Sequence, residues 1–151
     1  FNQAGAYAYE QALLAMRQLN LPMTALEQQF RRMVFNIVAR NQDDHVKNIA
    51  FLMDKQGNWT LAPAFDVTYS YAPSGLWTQR HQMTLNGKQD GFALEDFVAA
   101  GKTAGLRRGL ARETLAEVSA VVERWPAYAE AAGVPGETCK RIQAALRLEL
   151  S

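Results

Sequence analysis

Apolar side chains recur through the first forty residues with the spacing of two core-facing helices. Tyr9, Leu13, Met16 and Leu19 stand three or four positions apart, which predicts a helix over residues 6–19 with one buried stripe. Asn20, Leu21 and Pro22 end it, because the residue before a proline is pushed out of helical geometry. Thr24 and Glu27 have the spacing of a capping box, each side chain reaching a free backbone N–H. A second stripe follows through Phe30, Met33, Val34, Ile37 and Val38 and delivers the chain to Asn41.

There the periodicity stops. Residues 41–48 read Asn-Gln-Asp-Asp-His-Val-Lys-Asn, a polar loop behind a well-anchored helix, which is where functional groups tend to be held. Residues 49–53 are a short apolar run, 54–58 supply turn residues, and 59–61 return as a second strand, predicting a β-hairpin. Pro63 limits further pairing, and Asp66 lies just past the return strand.

Residues 69–91 are the least regular part, although residues 81–85 allow a short strand turned by Asn86 and Gly87. Helical spacing resumes over residues 94–104 and 114–132, the latter kinked or restarted at Pro126. Gly133 terminates it, and Pro135 opens a last helix through Ile142, Leu146 and Leu150. The expected fold class is therefore mainly α with a small β-hairpin (α+β). With 151 residues and no internal repeat it makes one domain.

Composition changes this picture little. A net charge of +1 gives no bulk electrostatic reason to expect nucleic acid or a membrane as direct partner. Arg107 with Arg108, and Lys140 with Arg141, read as solvated helix faces. The single cysteine, Cys139, excludes an intramolecular disulfide and fits a reducing compartment. It falls in a helical pattern with no activating base beside it and reads as a buried structural thiol. No apolar run approaches the roughly 18 residues of a membrane span, and no signal peptide is visible, so the cytoplasm is the expected location. The chain opens on Phe1 rather than Met, as expected of a segment cut from a longer protein.

The chemistry lies in the polar loop. Asn48 follows Asp43 by five positions, and Asp66 comes after the hairpin. Phosphoryl transfer needs hard oxygen ligands for a Mg²⁺ ion bridging the phosphates and a carboxylate within reach of the attacking hydroxyl. An Asp, an Asn five residues on and an Asp beyond a hairpin is the protein-kinase arrangement of those groups.

At these residues the chain resembles the HipA-type serine/threonine kinases, the toxin half of bacterial toxin–antitoxin pairs. The family's Asp-x-His-x-Lys-Asn is met by Asp43, His45, Lys47 and Asn48, and its Leu-x-Pro-x-Tyr/Phe-Asp by Leu61, Pro63, Phe65 and Asp66. The likeness extends upstream through residues 30–36 and, more weakly, down the helices, so that it spans the chain. It implies the helical C-terminal lobe of a kinase-like fold over residues 1–151, ATP and Mg²⁺ as cofactors, and Asp43 as catalytic base. Asn48 and Asp66 would hold the metal. Lys47 would offset charge on the transferred phosphoryl group and so belong to both the catalytic and the nucleotide-binding set. His45, also matched, would brace the loop by hydrogen bonds or act directly, and Asp44 would be a loop or metal-neighbourhood residue. Implied partners are a protein substrate, such as an aminoacyl-tRNA synthetase, and a HipB-like antitoxin through which DNA is reached indirectly.

The chain departs from a complete kinase in one respect. Neither a Gly-x-Gly-x-x-Gly loop nor a Val-Ala-Ile-Lys-type strand precedes Asp43, so the lobe that covers ATP is expected to lie outside residues 1–151. Two other readings stand beside the kinase. One is a non-catalytic module that docks an antitoxin. The other is a metal-dependent phosphoesterase built from Asp43, Asp44, His45 and Asp66, which would have only His81 as a further histidine. Trp59, Trp77 and Trp125 read as packing groups rather than as platforms for a nucleobase.

Overall fold

A computed structural model of the chain describes residues 4–150. Its first element is not a helix. Tyr7 and Ala8 form β1 (Tyr7–Ala8), which pairs in parallel with β4 (Met83–Thr84), Tyr7 opposite Met83 and Ala8 opposite Thr84. That long-range pairing delays α1 (Tyr9–Gln18) beyond the expected start at Ala6. The Gln11 side chain accepts the Ala8 N–H at 2.8 Å and so closes the first turn.

The long helix α2 (Met23–Val38) also departs from expectation at its start. Pro22, with φ −64°, is the N-cap, and its carbonyl already accepts the Ala25 N–H at 2.9 Å. Thr24 therefore falls inside the first turn, and no side-chain cap forms. The expected apolar stripe is intact: Phe30, Met33, Val34, Ile37 and Val38 are all fully buried. Each such side chain contributes about 1.5–3 kcal/mol by leaving water. α2 is thus the rigid post from which the polar loop projects.

The hairpin forms as expected from β2 (Phe51–Met53) and β3 (Trp59–Leu61), antiparallel with Phe51 opposite Leu61. Asp54 closes its turn by accepting the backbone N–H of Gln56 at 2.8 Å and of Asn58 at 2.9 Å. Its faces are poorly covered, with Leu52, Met53 and Trp59 exposed.

The remaining helices are α3 (Leu94–Ala104), α4 (Leu110–Val122), α5 (Trp125–Ala131) and α6 (Gly136–Ala145). α4 packs on α2, α3 on α1 and α4, and α5 on α6. α4 begins ahead of the expected Thr114 because Gly109, at φ +91°, turns the chain and lets Leu110 and Ala111 reach the core. Pro126 sits in the first turn of α5, so it starts a new helix rather than kinking α4. α6 stops at Ala145, short of the expected Leu150. The tail beyond it is extended: the Arg147 N–H donates to the Val38 carbonyl at 3.0 Å, and Leu150 is buried. The free carbonyls at the end of α2 give that tail a partner, which continued helix could not use. Cys139 is half-buried rather than buried, and its carbonyl accepts the Trp125 indole N–H at 3.1 Å.

Candidate functional site

Arg40, at φ +60°, ends α2 and turns the chain into the polar loop. Its Nε donates to the Ala145 carbonyl at 2.6 Å, and one terminal nitrogen donates to Gln42 Oε1 at 2.9 Å. Asn41 is buried, its Nδ2 donating to Asn36 Oδ1 at 3.0 Å. The loop is therefore pinned at its entry from two sides.

Asp43 is held by its main chain. Its N–H donates to Ser70 Oγ at 2.9 Å, and its carbonyl accepts the His45 N–H at 2.9 Å and Asn48 Nδ2 at 3.2 Å. Its carboxylate accepts no hydrogen bond from a described residue, so the acidic group is presented while its peptide is fixed. A single 3₁₀ turn (Val46–Asn48) folds the chain back so that Asn48 reaches both Asp43 and Asp66. Asn48 Nδ2 lies 3.1 Å from Asp66 Oδ2, and those two contacts use both amide hydrogens. The Asn48 Oδ1 and a second Asp66 oxygen are left for another partner. Asp66 itself sits at φ +53°, a left-handed conformation that costs a non-glycine residue about 1–2 kcal/mol and collects at functional sites.

The structure thus brings Asp43, Asn48 and Asp66 into one cluster. Lys47 on the same turn is exposed. Among the described residues the His45 ring makes no hydrogen bond to the loop: Nδ1 is buried without a partner there, and the bracing contact comes from its main-chain N–H. Arg32 Nε, from α2, is likewise buried and unpartnered at the same crevice of about 30 Å³, shared with Asn48, Phe65 and Asp66. Burial pushes the Arg32 guanidinium below its usual value.

Asp44 is the loop residue expected, but its side chain turns inward behind the crevice that it shares with Asn48 and Asp66, and it is 2% exposed. Its Oδ2 accepts the Tyr9 hydroxyl at 2.6 Å and faces His81 Nδ1 at 2.8 Å, while Oδ1 accepts the Gln82 N–H at 2.8 Å. Burial, and after it the charge of Asp44, push the Tyr9 phenol well above its usual range, so it stays a donor. Tyr9 in turn accepts Asn36 Nδ2 at 3.0 Å. Tyr9, Ser70, His81 and Arg147 were not picked out as site neighbours from sequence. One signal was available: His81 shares the period-two inward face of Met83 and Leu85, all three fully buried.

The donor set fits a hard cation that takes few protein ligands. Mg²⁺ binds through one or two carboxylates and keeps its other positions for water and phosphate, as one amide oxygen and one carboxylate allow. Among the described residues no three His, Cys, Asp or Glu side chains are grouped to hold a metal ion, and Asp44 faces the core. That geometry lends nothing to a phosphoesterase centre built on Asp43, Asp44, His45 and Asp66. The larger clefts lie elsewhere. One of about 450 Å³ runs between α2 and α4 past Phe35, Val67 and Val121, and one of about 300 Å³ continues it to Trp125 and Leu146.

Fold and site together define a mainly helical lobe in which a loop and a hairpin exit present an Asp–Asn–Asp cluster at the surface. Residues 1–125 match the model of the HipA-like C-terminal domain, and the chain belongs to that family. No curated protein matches it. Among solved structures it is similar to a chain of the Shewanella oneidensis MR-1 toxin–antitoxin complex of HipA, HipB and operator DNA, with a TM-score of 0.71 at 20% identity. That match covers 91% of this chain and 33% of the other, so this chain spans about a third of its structural relative. At that identity the likeness carries the fold. No helix among the described residues is long and apolar enough to cross a membrane.

Proposed function

We propose that this chain is the catalytic lobe of a HipA-like protein serine/threonine kinase whose ATP-covering lobe lies outside residues 1–151. The observation that carries the reading is the cluster itself: Asn48 bridges Asp43 and Asp66 through a single amide group, with an oxygen of each metal-binding side chain left open. Mg²⁺-ATP, when bound, supplies the phosphoryl group and neutralises the charge that develops as it moves. Asn48 Oδ1 and the Asp66 carboxylate would hold the metal. Asp43 accepts the proton of the substrate hydroxyl, a task that suits a carboxylate with a fixed main chain and no hydrogen bond from a described residue. Lys47, exposed on the same turn, places a positive charge beside the anionic substrate. By analogy with the toxin–antitoxin neighbour, the partners are a HipB-like antitoxin, with DNA reached through it. The resemblance of the loop motif to the HipA-type kinases adds a protein hydroxyl as substrate, such as one on an aminoacyl-tRNA synthetase. Such a protein works in the cytoplasm.

The test is phosphotransfer from labelled ATP by the parent protein with Asp43→Asn. Transfer should fall by at least about a thousandfold while the fold is kept. Retained transfer would remove Asp43 from the role of base. A second reading, a non-catalytic docking module, is favoured by the apolar clefts along Phe35, Val67 and Val121 and by the exposed Leu52, Met53 and Trp59. Antitoxin binding undiminished by replacing Asp43, Asn48 and Asp66 together would show that docking is separable from catalysis. Hydrolysis of a simple phosphate ester by residues 1–151 alone would instead revive the phosphoesterase.

A further inference from the structure

Asp43 and Asp44 are adjacent and differ in surroundings: the first is half-buried with no side-chain bond to a described residue, the second is buried among donors. The inward neighbour is tied to a chain of buried groups that ends at the far end of the sequence. His81, with no exposed surface, faces Asp44 Oδ2 through Nδ1 at 2.8 Å and Arg147 through Nε2 at 2.8 Å. A guanidinium can only donate, so Nε2 must be the acceptor, the ring proton sits on Nδ1, and that proton is given to Asp44. Arg147 is itself anchored three ways. Its main-chain N–H donates to the Val38 carbonyl at 3.0 Å, the terminal nitrogen that faces His81 also donates to the Ile37 carbonyl at 3.1 Å, and the other terminal nitrogen pairs with Asp90. The tail after α6 is thus fastened to the end of α2 and, through one imidazole of fixed tautomer, to the loop that carries Asp43.

We infer that His81 and Arg147 are positioning residues: through Asp44 they set the orientation of the Asp43–Asp44 peptide and hence the direction in which the Asp43 carboxylate points. The inference rests on the reading of Asp43 as base for its functional consequence, but its structural half stands without it. The Asp43–Asp44 peptide is held on its outer side through the Asp43 carbonyl, which accepts the His45 N–H and Asn48 Nδ2, with Ser70 holding the N–H of the peptide before it, and on its inner side by the Asp44 network. Cutting the inner restraint leaves only the outer contacts to hold the turn. Near-attack geometry is sensitive to displacements of about an ångström, so the loss is expected in turnover more than in nucleotide binding.

The experiment has two arms. In this chain, nitrogen-15 NMR of the imidazole should show His81 protonated on Nδ1 and bare on Nε2, and hydrogen exchange should show protected amides at Asp43 and Asn48. Arg147→Met should let the tautomers mix and raise exchange at those amides at least tenfold. Arg147→Lys, which keeps a donor, should show a smaller change. An Arg147→Met variant that folds with tautomer and loop exchange unchanged would overturn the inference. In the parent protein, His81→Leu should lower kcat at least tenfold with the KM for ATP held within about threefold. His81→Asn, whose amide can still donate to Asp44, should recover part of it. A fall in activity that only follows the folded fraction, with no recovery in His81→Asn, would reduce the network to a structural part. If the unsubstituted parent transfers no phosphate, the kinase reading fails, and the NMR arm still decides whether the tail holds the loop.

Discussion

Two neighbouring aspartates show how far residue type alone is from residue role. Asp43 is half-buried and its carboxylate accepts no hydrogen bond from a described residue, whereas Asp44 is buried under three donors. Asp44→Ala should cost about 3–5 kcal/mol, since it strips a buried charge from Tyr9, His81 and Gln82 and leaves each donor unpaired. For a domain of this size that is a fall in melting temperature of about 6–20 °C. Asp43→Asn should move the melting temperature by no more than a degree or two, because its side chain bonds to no described residue. Differential scanning calorimetry of the pair checks both, and equal losses would refute the division of labour. The outward cluster of Asp43, Asn48 and Asp66 was legible from sequence because its members carry their spacing with them. The role of Asp44 was not, since its partners lie 35 and 37 positions away and spacing within a motif says nothing about which way a side chain turns.

Elements that depend on local patterning were read well. The stripes of α1 and α2, the hairpin, and the glycine and proline stops all follow from the order of apolar and turn residues. The misses were ends: those of α1 and α6 were decided at long range, whereas the starts of α2 and α4 were set by the local geometry of Pro22 and Gly109. β1 takes the first residues of the predicted helix, Pro22 caps α2 ahead of Thr24, and the α6 tail abandons helix for the carbonyls of α2. Helix α3 shows the same dependence. Buried Asp96 accepts the Ala93 N–H, Lys88 Nζ and Asn86 Nδ2, each at 2.8 Å, and so ties the turn after β4 to the start of the helix. Burial would raise its carboxyl, but these donors outweigh that and hold it below the usual carboxylate value. A depressed folded value means that the stabilisation is present above the ordinary value of about 4 and is lost as the pH falls through the folded one. Asp96→Asn should therefore cost about 1.5–3 kcal/mol at pH 7 and progressively less below about pH 4. Urea unfolding at pH 7 and pH 3 measures the difference, and a gap that does not narrow in acid would contradict the charge assignment.

At the scale of the whole molecule, one buried path links the two ends of the chain to the loop: Tyr9 from the first helix and Arg147 from the tail both reach Asp44, one directly and one through His81. Removing residues 146–151 should therefore do more than shorten the chain. It uncovers the end of α2 and strips Leu150 from the core, and hydrogen exchange should rise at Asn41 and Asp43 as well as at α2. Exchange confined to the new terminus would show that the tail is only a cover. The family match ends at residue 125, before this tail begins, so membership alone does not account for it. Calorimetric titration of Mg²⁺-ATP into the parent protein, with and without Asp66→Ala, bears most directly on the proposal that these parts serve a phosphotransfer site. Binding by the parent that disappears with Asp66→Ala, beside silence from residues 1–151 alone, is the predicted result. A parent that binds no Mg²⁺-ATP, or binds it equally well without the Asp66 carboxylate, would contradict the kinase assignment and leave docking as the function of this lobe.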